Sequence, residues 1–560
     1  MKSFLIFIII LFSCSNKEQY EPRWDSLDSR STPQWFKDAK FGIFIHWGLY
    51  SVPAWGPKGS YAEWYLNGLL NGDTARTEYH SKHYGEDFPY SNFINLFNPI
   101  KYDPNNWADL FLKAGAKYVV LTSKHHDGFC LWPSEHSQGY NSVDGKANRD
   151  LLGDLNKAVK IRGMRSGFYY SLYEWQHPDY PENVLSYVDN YMMPQFKDAV
   201  QRYKPDIIFS DGEWDRNSSE WKSEELLAWL YNDSKAPKDV VVNDRWGGET
   251  RFRHGGYFST EYDPNSGAMN EEFLKRGWEE CRGIGKSFGY NQNETIEDYN
   301  TSEELIRLLV DIVSRGGNLL LNVGPKSDGT IPDIMSDRLF EIGKWLEING
   351  GAIYGTTPNR IFQSDGIKFT LSKDRKTLFA FVEKFQEKTL KIRGVNAIGE
   401  KRIRCLGSEQ ALEWENKGSD LIMQVPSSFI DGLQFSPVYV LEIPVLPYLD
   451  KPKIQVIIEN KIAEISINSD NSKSTYLFEI GDSINNNLTR EYKNPFQVTG
   501  PEFLHVQATN KNHLPSKIVT LPINILTNEN GLVRRTYLGQ WDSCSEMIND
   551  ELSPNICSPS

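Results

Sequence analysis

Cysteine is scarce in this chain. Six occur among 560 residues, Cys14, Cys130, Cys281, Cys405, Cys544 and Cys557, and no pair has CxxC spacing. That pattern supports neither a structural zinc site nor a disulfide framework, and only Cys544 and Cys557 stand close enough in sequence for a local bridge. Long apolar runs are also lacking: the stretch from Phe4 to Phe12 is too short to span a bilayer as a mature helix. Positive charge is in deficit, with 61 Lys and Arg against 74 Asp and Glu and a net charge of -13. A nucleic-acid backbone is therefore not an expected ligand, and steering favours neutral or cationic partners. What the chain has in quantity is aromatic surface, 13% of residues, with 16 Trp and 28 Tyr. Sugar clefts use such rings, because a flat aromatic face covers the C–H face of a pyranose while polar neighbours bind its hydroxyls.

Lys2 ahead of the Phe4 to Phe12 run has the form of an export signal. The run ends in Leu11-Phe12-Ser13-Cys14, which resembles the lipobox of bacterial lipoproteins, where the cysteine becomes the lipidated first residue. Residues 1–14 thus read as a lipoprotein-type signal and the polar stretch 15–30 as a tether. The expected location is a bacterial membrane, facing the periplasm or cell surface. A plain secretory signal cut a few residues later, giving a soluble secreted or periplasmic protein, is the alternative.

At roughly 150 residues per domain the length suggests two to four domains. Short apolar strands alternate with amphipathic helices over the first part of the chain. Strands are expected at Phe41–His46, Lys117–Thr122, Arg165–Ser171, Asp206–Ser210, Val240–Asp244, Gly256–Glu261, Ile284–Tyr290 and Asn318–Val323. Between them, segments such as Asn106–Ala114, Asp150–Ile161, Glu224–Tyr231 and Ser302–Ser314 carry apolar residues at helical spacing. Alternation of this kind predicts an α/β fold, a (β/α)8-like catalytic barrel over 31–352. Beyond the helix Ile334–Ile348 the pattern changes to short strands, predicting a β-sandwich over 353–445. A Pro-containing linker then opens a small β module over 453–526, and 527–560 is either a tail or the start of a further module.

In barrels of this kind, functional side chains project from the C-terminal ends of strands. His46 ends the first expected strand, His125 and His126 follow the second, Tyr169 lies in the third, Asp211 ends the fourth, Arg245 follows the fifth and Glu261 ends the sixth. So many polar strand ends point to a polar pocket at one rim, which Glu63 and Trp64 could cover. Gly212 lets the chain turn so that Asp211 faces the cleft; an Asp-Gly pair that merely starts a turn or caps a helix is the other reading.

The segments FGIFIHWGLYSVPAW, YAEWY, KYVVLTSKHHDGFCLW, NRDLLGDL, PDIIFSDGEW, VVNDRWG and GGNLLLNVGPKSDGTIP together resemble glycoside hydrolase family 29, the retaining alpha-L-fucosidases. The resemblance runs from about Trp35 to Leu441 and is nearest the lysosomal-type branch. It implies an exo-acting fucosidase with Asp211 as nucleophile, needing no metal or other cofactor and acting on fucosylated oligosaccharides or polysaccharides. His46, Glu63, Trp64, His125, His126, Tyr169 and Arg245 match positions that contact fucose or order the nucleophile. Phe209 stands where many members have Trp. Glu261 matches the acid/base position of some bacterial members, and Glu279 is the competitor; Glu261 sits at a strand end, whereas Trp278 and Cys281 suggest that Glu279 is packed. Asp206 and Glu213 read as structural, with Glu213 near enough to touch substrate. In the mechanism so implied, Arg245 and the histidines keep Asp211 charged, and burial against aromatic groups raises the pKa of the acid. Two rivals remain: a catalytically inactive surface sugar-binding lipoprotein, and a metal-dependent barrel hydrolase with His46, His125 and His126 as ligands.

Overall fold

The structure, a computed structural model, describes residues 19–523 apart from 263–270, 387, 401, 460–461, 469–473, 482–487 and 501. Cys14, the Cys544 and Cys557 pair and the stretch 527–560 lie outside the described residues. Cys130, Cys281 and Cys405 are buried free thiols. The chain divides into two compact units, one built from residues up to 443 and the other chiefly from 444 onward.

The first unit opens with eight parallel strands: β1 (Phe41–Ile45), β2 (Tyr118–Lys124), β3 (Arg165–Ser171), β4 (Ile207–Asp211), β5 (Val241–Val242), β6 (Phe258–Glu261), β7 (Trp278–Gly283) and β8 (Asn318–Val323). They form one curled sheet in the order β5-β4-β3-β2-β1-β8-β7-β6. Its two ends meet through backbone bonds from Gly256 N to Asn243 O (3.1 Å) and from Tyr257 N to Val242 O (3.0 Å). Gly256 is dictated by that meeting, since a Cβ there would lie 1.7 Å from the Val242 carbonyl oxygen.

The seventh strand differs from the expectation. It is Trp278–Gly283, and Ile284–Tyr290 follows it as a loop. Two successive glutamates, one facing in and one facing out, hide the strand pattern, whereas the apolar stretch that resembled a strand carries Gly285 and Gly289.

Alternation along each strand sorts the core into two sets. Ile43, Ile45, Val119, Leu121, Phe168 and Ile208 pack outward in the cluster that includes the surrounding helices. Phe44, Val120, Tyr169, Phe209, Cys281 and Leu320 fill the interior. Beneath them Phe36, from the helix Gln34–Ala39, stacks on Tyr257 at 4.3 Å and plugs the floor. The interior is therefore open only at the C-terminal strand ends. Helices 104–113, 151–161 and 302–314 start at side-chain caps from Asp103, Asp150 and Thr301, which satisfy first-turn amides.

Residues 20–30, read above as part of a tether, lie against the barrel. Tyr20 N donates to Asn232 Oδ1 (2.9 Å), Trp24 stacks on His254 (5.0 Å), Leu27 is buried, and Asp28 pairs with both His254 (2.8 Å) and Arg276 (3.1 Å).

After the helix Asp333–Asn349 the first unit continues into an eight-stranded antiparallel sheet. Strand Asp420–Val425 shows its logic: Leu421, Met423 and Val425 are buried and alternate with more exposed residues. In the second unit a three-stranded and a four-stranded antiparallel sheet share a core that includes Ile465, Ile467, Leu504 and Val506. Among the described residues no helix is long and apolar enough to cross a membrane.

Candidate active site

Asp211 is the last residue of β4 and pairs in register with Ser171 of β3. The chain turns at once through Gly212, whose φ is +74° and whose missing Cβ would lie 2.3 Å from the Tyr173 ring. Both oxygens of Asp211 are engaged. Tyr169 donates to Oδ2 (2.9 Å) and Arg245 Nη1 to Oδ1 (2.6 Å). The same guanidinium reaches Glu261 Oε2 from Nη2 (3.2 Å), gives Nε–H to Ser259 Oγ (3.1 Å) and lies 5.0 Å over the Phe209 ring. Asp244 fixes that serine by accepting from its hydroxyl (2.6 Å). Burial works against the charge of Arg245, but Asp211, Glu261 and Glu213 together hold it on.

The histidines have readable tautomers. Asn322 gives its amide N–H to Phe288 O (2.7 Å), so its oxygen accepts from His46 Nδ1 (2.7 Å). Ser171 gives its hydroxyl hydrogen to Tyr173 O (2.6 Å), so it accepts from His126 Nδ1 (2.6 Å). Burial lowers His46 to about 4 and pushes His125 and His126 down too. Both His46 and His126 are therefore neutral near pH 7 with Nε2 unprotonated, and that of His126 lies 3.4 Å from the Tyr169 hydroxyl and 3.6 Å from Asp211 Oδ2. His125 stacks on Tyr169 at 5.5 Å, and its buried Nδ1 has no hydrogen-bond partner among the described residues. The charge of Asp211 is thus met by Arg245 and Tyr169, and the imidazoles contribute polarity without charge.

The two candidate acids sit in different places. Glu261, 30% exposed by side chain, lies beside the Tyr61 hydroxyl (3.4 Å) and Arg245, a more open setting than the expected burial against aromatic groups. Glu279 is in the barrel floor at the start of β7, fully buried, with its oxygens taken by the hydroxyls of Tyr118 and Tyr257. Burial raises it to about 7. Glu63 is buried under its helical turn, accepting from Gly289 N (2.8 Å) and Ser287 Oγ (3.2 Å), and burial raises it as well to about 7. Asp206 pairs with Arg165 (2.7 Å) at the opposite end of β4 from Asp211. Glu213 is buried 3.7 Å from Arg251, and burial raises it to about 7.

One cavity of about 300 Å³ gathers His46, Glu63, Trp64, His125, His126, Tyr169, Phe209, Asp211, Arg245 and Glu261. Glu279 does not line it. Tyr61, Trp214, Phe288, Phe44 and Cys281 do, although sequence reasoning did not single them out. Phe288 stacks on His46 at 4.9 Å from a loop whose only signal was being apolar. Asn322 and Ser171, which set the tautomers, are small polar strand residues with no sequence signature. Larger cavities of about 390 and 630 Å³ occur elsewhere in this unit, but neither brings together buried carboxylates and imidazoles. Among the described residues no group of three or more His, Cys, Asp or Glu is arranged to hold a metal ion, and Nδ1 of His46 and of His126 is already spent on protein. Chemically, the cavity offers two carboxylates on one cation, hydrogen-bond acceptors for hydroxyls, and an apolar wall.

The family model for alpha-L-fucosidase matches residues 8–351. The chain belongs to the alpha-L-fucosidase family, glycoside hydrolase family 29. It is 44% identical over 397 residues to the alpha-L-fucosidase of Dictyostelium discoideum, covering 68% of this chain and 85% of that protein. To the tissue alpha-L-fucosidase of Homo sapiens it is 45% identical over 352 residues, 61% of this chain and 73% of that one. Among solved structures, the alpha-fucosidase of Thermotoga maritima in complex with fucose is 39% identical, with a TM-score of 0.65, covering 76% of this chain and 100% of that chain. This member is accordingly a glycoside hydrolase with alpha-L-fucosidase activity and binds fucosylated substrates.

Proposed function

We propose that the cavity removes terminal alpha-L-fucose with net retention, through two displacements at the anomeric carbon. The observation that carries this reading is the Arg245 guanidinium held between Asp211 and Glu261. Ionised Asp211 attacks the anomeric carbon through an oxocarbenium-like transition state while protonated Glu261 donates to the leaving oxygen. Once Asp211 is esterified its charge is gone, and Glu261 is then the carboxylate in direct contact with Arg245, with Glu213 acting on the same guanidinium through space. Glu261, having given its proton to the leaving group, is placed to take one from the attacking water. Unprotonated Nε2 atoms on His46 and His126 accept from fucose hydroxyls, Arg245 donates, and Phe209 and Phe288 offer an apolar wall to the C6 methyl. A cavity of about 300 Å³ whose inner lining of His125, His126, Tyr169, Asp211 and Arg245 is buried supports exo action on a chain end. Asp211→Asn tests the assignment: kcat should fall by about 10⁴-fold or more with an unchanged circular dichroism spectrum. Near-normal turnover would remove Asp211 from the role.

The catalytic region is proposed as 31–352, with 353–445 and 453–526 as appended β domains. Export and a lipid on Cys14 are proposed from the signal and lipobox alone. Cys14→Ser should release the protein from the membrane fraction with activity intact; continued membrane association would leave the anchor elsewhere.

A further inference from the structure

Tryptophans in this molecule mostly spend their indole N–H on protein oxygens. Trp35 donates to Asp239 O (2.8 Å), Trp246 to Asn243 O (2.8 Å) and Trp175 to the Tyr173 hydroxyl (3.0 Å). The two that line the cavity, Trp64 and Trp214, donate to no described residue. Trp214 is also the exposed tryptophan of the described chain, at 44%. An exposed ring alone needs no explanation. An exposed ring at a sugar cavity with an unspent donor does, because burying it would have gained apolar contact and one hydrogen bond.

Depth assigns it a place along the substrate. His125, His126, Tyr169, Asp211 and Arg245 are all buried and surround the closed end. Glu261 is partly exposed at the rim, and the bond it protonates must lie beside it. The sugar ring beyond that bond is then outward of Glu261, toward the exposed part of the lining, to which Trp214 belongs. The indole is also held in place. It meets His126 edge-on at 5.6 Å and Tyr173 at 5.4 Å, while its loop is pinned by Trp221 Nε1 donating to Glu213 O (3.1 Å) and Gly248 N to Arg216 O (2.9 Å). A ring fixed before substrate arrives loses little freedom on binding.

We propose that Trp214 forms the leaving-group subsite, its indole face covering the pyranose to which fucose is attached and its in-plane N–H left for a group beyond the edge of that stacked ring. This rests on the fucosidase reading of the cavity. Binding there favours substrates that carry a sugar beyond the scissile bond over those that carry none.

The test compares kcat/KM of the full chain on alpha-L-fucosyl fluoride, whose leaving group has no ring, with that on the fucosyl disaccharide the wild type cleaves fastest in a linkage panel. Trp214→Ala should lower the ratio of disaccharide to fluoride about tenfold, and Trp214→Phe, which keeps a flat face, should return part of it. Turnover of the fluoride also reports that each variant is folded. An unchanged ratio in Trp214→Ala, a Phe variant as poor as the Ala variant, or a wild type that cleaves the fluoride but no disaccharide overturns the subsite. A wild type that cleaves neither overturns the fucosidase reading itself.

Discussion

Glu261→Ala removes the proposed proton donor while leaving Asp211 and Arg245, 2.6 Å apart, in the chain. Turnover of fucosides with poor leaving groups should drop about 10² to 10⁴-fold, activated aryl fucosides should lose less in the first step, and azide should restore the second step for them. Equal loss on both substrate types, with no azide effect, would show that Glu261 is not the acid/base. At this scale the sequence was legible wherever a charged or imidazole side chain ended a strand, as at His46, Asp211 and Glu261. It was illegible for residues that act through others. Asn322 and Ser171 fix which nitrogen of His46 and His126 faces the cavity, yet each is a common residue in an ordinary strand, and its partner lies 276 or 45 residues away.

The closure between β5 and β6 depends on a missing side chain. Gly256→Ala would place a Cβ 1.7 Å from the Val242 carbonyl oxygen, and backbone cannot yield as a flexible side chain can. The two backbone bonds across this junction should break, at a cost of about 3 kcal/mol or more, measurable as a lower denaturation midpoint; an unchanged midpoint would show that the closure is dispensable. β2, β3, β4 and β8 could be read from apolar runs because helices cover their outer faces. β7 could not, because its inward Glu279 and outward Glu280 look polar until Tyr118, Tyr257 and Thr260 supply their partners. The packing of residues 20–30 was equally hidden, since Asn232, His254 and Arg276 are some 200 residues downstream.

Across the whole molecule, burial raises Glu63, Glu213 and Glu279 to about 7 and Asp127 to about 6. The ordinary value for Glu is 4.5. Below that pH both folded and unfolded chains hold these protons. As pH rises from there to about 7, the unfolded chain releases protons that the folded chain keeps, so these groups make stability fall over that window and level off above it. Glu279→Gln keeps a hydrogen-bonding group against Tyr118 and Tyr257 but cannot ionise. It should flatten the fall in urea midpoint between pH 5 and 7.5 and leave turnover intact; lost turnover would transfer the acid/base role to Glu279. The division of labour between Asp211 and Glu261 is tested most directly by the configuration of the first sugar released. Proton NMR during early hydrolysis of an aryl alpha-L-fucoside should show alpha-L-fucose appearing first, with the beta anomer growing in only by mutarotation. Beta-L-fucose as the initial product would contradict a covalent intermediate on Asp211.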